Sequence, residues 1–535
     1  MARRAVALGA PALLLGFLAT GATPLARAGP VGVLFPSLPP CDLPRSFLVN
    51  ISAAGTANTP AGLGYMEDSS ARGTDNNAQD RAAAGLTYLG QLLSHDLADL
   101  DGGSVEVRRT PPRGGIYRGP GAPKNLATFA LDLDTLYGRR GHPRATGDRA
   151  KLAMGTPTNA LDWPRDAAGA ARIADPRNDE HFIIAQLAGL FARAHNAFVD
   201  EVSNRCGGGA RLRRFRIAQR LVRLHFQSII LTDWLPLFVT REVLDDVAAR
   251  GRRLFTGRLP AAGAVPVEFL AGTNRLGHSI ARGRYRLNGL TPGPVRLFPL
   301  SPTEAQPENN LLGGRPIPVA SNIEWNRFFN FSDSRVGDIR NDTDQFAGLQ
   351  VYRRIDRLYA RPLMRLPVEG PGLPDVPLAN SSGSVAGRRV VSLASLDLLR
   401  GASLGLPCGG AAAAAAATMV GGPPPLGIND FGLTLPPAAG GAGLDPADVP
   451  SDVPFLLYVL TEAGVRAEGE RLGPIGGRIQ AEVILGALER DRRSLARKPG
   501  WVSPLTGAGG VRMVDLINFV EGDLPLADPA ALCRS

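Results

Sequence analysis

Two neighbouring stretches constrain the fold of this chain more than any other feature. EHFIIAQLAGLFARAHNAFVDEVSN (180–204) places Ile183, Leu187, Leu190, Ala194 and Phe198 at steps of three and four. RLRRFRIAQRLVRLHFQSIILTDWLPLFV (211–239) carries the same pattern until Pro236 stops it. That period belongs to helices and not to half-buried strands, which alternate every second residue. Asn178 or Asp179 is the expected N-cap of the first helix, opening on Glu180. Helical pattern also covers the stretch from about Asp80 through LTYLGQLLSHDLADLD (86–101), VEFLAGTNRLGHSIA (267–281) and RIQAEVILGALERDRR (478–493). Strands do not alternate with helices, and nothing repeats at a period of 20–50 residues. The expected class is mainly α with little β.

At 535 residues the chain can bury a large core as one big domain or as two or three ordinary ones. Glycine (64) and proline (45) make about a fifth of it, which implies long irregular connections. Residues 29–60 read as an irregular lead-in over the surface, 409–450 as a low-complexity loop and 526–535 as a tail. Residues 1–28 have the parts of an export signal: Arg3 and Arg4, a weakly apolar run, and Ala26-Arg27-Ala28 as a cleavage site. The competing reading is an Ala-rich tail without a targeting role. An export signal places the protein outside the cell, in the periplasm or at the cell surface. No later run of about 20 apolar residues suggests stable membrane insertion.

Cys41, Cys206, Cys408 and Cys533 form no CxxC, which argues against a zinc ribbon or a thioredoxin motif. In an exported protein they could form two disulfides, with three pairings open; in the cytosol they would be unpaired thiols. The net charge of +10 comes with basic clusters at 211–216 and 490–498. No nucleic-acid motif accompanies them, so they read as solvated helix faces and no nucleic-acid partner is expected.

Six histidines are present: His95, His142, His181, His195, His225 and His278. Gln91 and His95 are one turn apart and share a helix face, whereas Asp96 is turned about 100° away and must serve other neighbours. In NLATFALDLDTLYG (125–138), Thr128, Ala130, Asp132 and Asp134 fall at every second residue. An extended or looped backbone would turn their oxygens to one side, as a Ca²⁺ site needs, although the Gly and Glu of an EF-hand are missing. DPRNDEH (175–181) brings Arg177 and Glu180 to a helix start, and RLGHSI (275–280) sets His278 beside Gly277 in an apolar helix. Singly, each of these also fits a bland role as core histidine, surface turn or acidic cap.

In order, GQLLSHDL, TFALDLDTLYG, DPRNDE with AQLAGLFARAHN, RLGHS and GERLGPIGGRI (469–478) resemble the animal-type haem peroxidases of the peroxidase–cyclooxygenase superfamily, bacterial members most closely. PVEFLAGTNRLGHSIARGRYRLN (266–288) and SLASLDLLRGASLGLP (392–407) support the likeness, which runs from roughly residue 61 to residue 520 and implies a single haem-peroxidase domain over 61–525. The resemblance implies haem b, with His95 as the distal histidine, Gln91 as its cavity neighbour and Arg177 as the distal arginine. His278 would be the proximal iron ligand, Arg275 a propionate neighbour, and Asp397 the partner of the His278 ring where the family commonly has asparagine. Asp96, Thr128, Ala130, Asp132 and Asp134 would hold Ca²⁺. The implied reaction reduces H₂O₂ and oxidises small donors.

This chain departs from the family's mammalian members. They bind haem through two carboxylates; here the first position is Ser94, so only Glu180 could form an ester. The position of a methionine–haem link in one mammalian member is His181. Bromide, iodide, thiocyanate or phenols are therefore the expected donors rather than chloride. A fatty-acid dioxygenase of the cyclooxygenase type would need a tyrosine three residues before the proximal histidine, where this chain has Arg275. An adhesion or matrix protein with the same fold would have no need of His95, Arg177 and His278 together. The sequence leaves the oligomeric state open.

Overall fold

The computed structural model describes residues 29–52, 65–68, 83–100, 115–118, 122–138, 143–207, 209–257, 263–291, 293–301, 303–331, 348–368, 389–433, 450–507, 510–522 and 525–534. Residues 1–28, read above as an export signal, and His142 lie outside them. Helices dominate: α1 (Arg45–Ser52), α2 (Gly85–Leu97), α3 (Asp134–Tyr137), α4 (Phe182–Arg205), α5 (Arg211–Ile229), α6 (Leu235–Phe238), α7 (Arg241–Arg250) and α8 (Leu276–Ile280). After them come α9 (Leu393–Ser403), α10 (Gly409–Val420), α11 (Phe455–Ala467), α12 (Pro474–Arg490), α13 (Met513–Glu521) and α14 (Pro529–Arg534). Among the described residues, strand is confined to a three-stranded ribbon, with β1 (Gly29–Gly32) between β2 (Lys124–Asn125) and β3 (Val265–Pro266), and to two short pairs. The mainly α expectation holds.

Helix α4 is apolar nearly all round, and 83% of its most apolar 18 residues are buried, as expected of a central core helix. Its cap differs from the expected Asn178 or Asp179. Those residues sit in a 3₁₀ turn (Pro176–Asp179), and the His181 ring Nδ1 accepts the Ile184 N–H at 3.2 Å instead. The expected single helix 211–239 is also divided. A π turn (Ile230–Trp234) follows α5, and Pro236 falls within the short α6 rather than ending the run. The stretch 267–281 divides likewise into a π turn (Glu268–Gly272), a 3₁₀ turn (Thr273–Arg275) and α8. Such π turns re-aim side chains without any change in composition that a periodicity could detect.

Three segments read as loop or tail are built in. The lead-in supplies β1 and α1 and buries Val31, Leu34, Phe47 and Ile51. The buried Glu268 carboxylate accepts the Leu34 N–H at 2.9 Å and the Phe35 N–H at 3.3 Å, fastening the lead-in to the π turn before α8. The alanine run forms the three-turn helix α10, because alanine has the highest helix propensity and the Asp452 carboxylate accepts the N–H groups of Gly410 and Ala411 at 2.8 and 2.9 Å. Only Gly409 fits where α10 meets α11, since a Cβ there would lie 2.0 Å from the Tyr458 Cβ. Beyond it, residues 421–433 are described and 434–449 are not. The tail carries α14 with Leu532 buried. Of the three cysteine pairings, the chain adopts Cys41–Cys408 and Cys206–Cys533, the latter tying α14 to the end of α4. Two disulfides hint at an oxidising compartment.

Candidate active site

Tyr88, Gln91 and His95 share one face of α2 and line a single cleft. Opposite them stand Asn274, Arg275 and His278, carried by the broken 3₁₀–α8 segment. The cleft spans about 1290 Å³ of empty space, part of it open to solvent. Trp234, delivered by the π turn after α5, packs on α2 and donates to the Leu86 carbonyl at 3.2 Å. Gly90 permits this approach, since a Cβ there would lie 2.7 Å from the indole nitrogen.

His95 has one defined tautomer. Its Nδ1 meets the Asn178 Oδ1 at 2.9 Å, while the Asn178 amide nitrogen donates to the Thr135 carbonyl at 3.2 Å and the Thr135 hydroxyl at 2.8 Å. A carbonyl can only accept, so the amide is oriented with its oxygen toward His95. The His95 Nδ1 therefore carries the proton and Nε2 keeps its lone pair. Burial and the Arg177 charge lower the His95 pKa to about 4, so the ring is neutral at neutral pH.

Arg177 reaches the cleft wall with its donors engaged. Nε and Nη2 pair with Asp175 at 3.0 and 2.6 Å, Nη1 donates to the Ala98 carbonyl at 2.7 Å, and Nη2 donates to the His95 carbonyl at 2.9 Å. Burial would raise the Asp175 pKa, but the Arg177 charge outweighs it and holds the carboxyl down to about 2. Arg177 thus cups the C-terminal carbonyls of α2, and Asp175 offsets its charge. The Thr135 hydroxyl donates to Asp175 at 3.3 Å and closes a network from His95 through Asn178, Thr135 and Asp175 to Arg177.

The Gln91 amide is oriented by the same reasoning. Because the His181 Nδ1 accepts from Ile184, its Nε2 bears the proton and donates to the Gln91 Oε1 at 3.0 Å. The Gln91 Nε2 then faces Glu180 at 3.3 Å. Burial pushes the Glu180 pKa up to about 7, and burial with the nearby His95 lowers that of His181 to about 3. The Ser94 hydroxyl accepts from Asn274 at 2.8 Å.

Across the cleft the His278 Nδ1 lies 2.6 Å from the Asp397 Oδ2, and Arg275 Nε is 3.9 Å from Oδ1. Burial would raise the Asp397 pKa; its charge interactions with His278 and Arg275 and its hydrogen bonds from His278 and Tyr359 prevail and hold it below the ordinary value. The ionised carboxylate accepts the Nδ1 proton and leaves the His278 Nε2 for the cleft.

Asp96 faces away from the cleft, as its 100° displacement requires. It is fully buried and accepts the Leu133 N–H at 3.0 Å and the Thr135 N–H at 3.5 Å. Oxygen atoms of Asp96, Asp132 and Asp134 lie within 4.8 Å of one another. The Thr128 N–H and hydroxyl hold Asp134 and Asp132, each at 2.7 Å, and Ala130 lies in the same turn. Leu133 has a left-handed backbone (φ 54°), a conformation that non-glycine residues adopt only when held. Burial and the Asp134 and Asp132 charges push the Asp96 pKa well above the usual carboxylate range. A bound cation would relieve that repulsion, and an all-oxygen donor set fits Ca²⁺.

All twelve residues singled out in the sequence fall into these two neighbourhoods. Asp175, Asn178 and Tyr359 join the site only in the folded chain, and the sequence marks His181 only as removing a haem link. Asn178 adjoins Arg177 in sequence but reads there as a helix cap; Asp175 and Tyr359 carry no sequence signal. His195 and His225 are core residues, bonded to the Ala150 carbonyl and to Ser503 at 2.9 and 2.8 Å. The cleft suits a haem: a neutral imidazole nitrogen backed by a carboxylate is a good iron donor, and a second imidazole with a free lone pair faces the other side.

Residues 104–308 match the animal haem peroxidase family. Peroxidase A from Dictyostelium discoideum is similar in structure, with a TM-score of 0.56 and 14% identity over 94% of this chain and 95% of that one. The fatty acid alpha-dioxygenase of Oryza sativa follows, with a TM-score of 0.51 and 14% identity over 90% of this chain and 78% of that one. The Arabidopsis thaliana fatty acid alpha-dioxygenase has a TM-score of 0.51 and 15% identity over 91% and 75%. At such identities the likeness establishes the fold alone. No curated protein sequence matches the chain.

Proposed function

Because this chain belongs to the animal haem peroxidase family, we propose that it is a haem peroxidase that reduces H₂O₂ and oxidises small donors: bromide, iodide, thiocyanate or phenols. One observation carries the reading. Two imidazoles, His95 on α2 and His278 on α8, line one cleft, and a separate hydrogen bond to each Nδ1 leaves its Nε2 for the cleft. His278 would hold the iron of haem b, Arg275 would stand near a propionate, and Asp96, Thr128, Ala130, Asp132 and Asp134 would hold Ca²⁺. The haem, when bound, supplies the redox-active iron at which peroxide is reduced and from which donors are oxidised.

The chain's own residues handle the proton. The His95 Nε2 takes it from the nearer peroxide oxygen and returns it to the departing one, so the ring ends neutral and the leaving group departs as water. A positioned acid–base group of this kind contributes roughly 10²–10⁴ in rate. Asn178 keeps the Nδ1 proton in place throughout. Arg177, paired with Asp175, holds the carbonyl of His95 and contributes positive charge reduced by its partner. Gln91, fixed between His181 and Glu180, presents its remaining N–H to water or an anion. Among the described residues that line the cleft, Glu180 is the carboxylate that could form an ester with haem. The disulfides and the basic, weakly apolar start of the chain support a secreted or periplasmic location.

The dioxygenase alternative finds no tyrosine at Arg275, and an adhesive role would not need the fixed tautomers. The test is the absorption spectrum of purified, haem-supplemented protein before and after one equivalent of H₂O₂. A ferric Soret band that shifts and then recovers when a donor is added supports the peroxidase, and His95→Ala should slow the shift at least a hundredfold. A folded protein that takes up no haem overturns it.

A further inference from the structure

Tyr359 has a place on the haem-ligand side that the family match does not assign. Its ring is fully buried, and its hydroxyl donates to the Asp397 Oδ2 at 3.0 Å. The same oxygen accepts the His278 Nδ1–H at 2.6 Å. We propose that Tyr359 is a positioning residue that sets, through Asp397, how much negative charge the His278 ring carries; the inference rests on the haem-peroxidase reading above.

The argument is one of competition for charge. An ionised carboxylate accepts only, so both contacts are donations to it. A second donor on the same oxygen withdraws electron density that would otherwise strengthen the His278–Asp397 bond and draw the ring toward imidazolate. An asparagine at 397 could not exert the full pull of a carboxylate. Asp397 exerts it, and the phenol moderates it. Arg275, 3.9 Å from the other carboxylate oxygen, adds to the same restraint.

Tyr359 is placed there by its backbone rather than by Asp397. Its N–H donates to the Met66 carbonyl at 2.8 Å, and its own carbonyl accepts the Asp68 N–H at 2.9 Å. Tyr359→Phe therefore keeps the ring and its backbone anchors and deletes only the O–H. A merely structural hydroxyl, present to satisfy buried polarity, would alter stability and leave the iron unaffected.

The experiment compares haem-reconstituted wild type and Tyr359→Phe by the ferric/ferrous midpoint potential and by the ferrous iron–histidine stretching frequency in resonance Raman. The expected result is a lower potential and a higher stretching frequency in the variant. In an Asp397→Asn background, Tyr359→Phe should shift neither. Wild-type values in Tyr359→Phe would overturn the inference while leaving the peroxidase reading in place. A wild-type protein that shows no iron–histidine stretch would overturn both. If Tyr359→Phe does not fold, difluorotyrosine at 359, a stronger donor, should raise the potential, and an unchanged potential would again refute the proposal.

Discussion

Asn178→Ala tests the distal arrangement most sharply, because this side chain holds the tautomer of His95 without lining the cleft. The amide makes three hydrogen bonds: one with the His95 Nδ1 at 2.9 Å and two with Thr135 at 3.2 and 2.8 Å. A neutral bond contributes about 1 kcal/mol net, so the substitution should lower stability by about 2–3 kcal/mol. For the reaction only the His95 bond counts. Losing it frees the ring to rotate and to move its proton to Nε2, at a cost of about 1–1.5 kcal/mol, or roughly tenfold in rate. The assay is the stopped-flow rate constant of the haem-reconstituted enzyme with H₂O₂ across pH. In wild type the rate should be flat near neutrality and fall on the acid side as His95 protonates around its pKa of about 4. The Asn178 bond raises that pKa, opposing burial and Arg177, so removing it cannot move the acid limb upward. His95 titrates at 6.5 when unfolded and about 4 when folded, so stability is lost as pH falls from about 6.5 to 4. A rate unchanged within twofold, or an acid limb rising toward 6.5, would refute the role given to Asn178.

Calcium bound at the proposed site should act on the same network through Thr135, which donates its N–H to Asp96 and receives the Asn178 amide on its carbonyl and hydroxyl. Asp132→Ala, or chelation of the wild type, should therefore release calcium by metal analysis and slow the peroxide reaction, although no calcium ligand lies in the cleft. Full calcium occupancy in Asp132→Ala would show the site to be misplaced. Replacing both Cys206 and Cys533 by serine should lower stability by about 2–4 kcal/mol, because the bridge restricts the unfolded chain. The shift should appear as a lower urea midpoint, and an unchanged midpoint would mean that α14 is held by packing alone.

The residues differ in how legible they were, for physical reasons. Ile183, Leu187 and Leu190 announce α4 because burial on a helix follows a fixed period. Ile230–Trp234 and Glu268–Gly272 carry the pattern of continuous helix because a π turn keeps the composition and shifts only the hydrogen-bond register. The lead-in is rich in Gly, Pro, Ser and Asn and shows little period, yet it is fixed by Glu268, more than 230 positions away in sequence. The site shows the same division. Gln91, His95 and Asp96 were readable from one helix turn, whereas Asp175 and Tyr359 acquire their roles only through contacts made by the fold.

The two site histidines show how identical side chains take different tasks. His95 faces a neutral amide oxygen on one side and the Arg177 guanidinium nearby, and it is buried. Each of these factors except the amide disfavours its cation, so the ring remains a base that can accept a proton and release it again. A carboxylate in place of Asn178 would stabilise the imidazolium and hold that proton, ending the relay. His278 has the reverse surroundings: Asp397 draws on its Nδ1 proton, which makes its Nε2 a stronger electron donor. An amide there would leave a weaker ligand. Exchanging the two partners, by Asn178→Asp with Asp397→Asn, should therefore impair both functions while leaving both histidines in place. The chemistry of the cleft is set by what stands behind each ring.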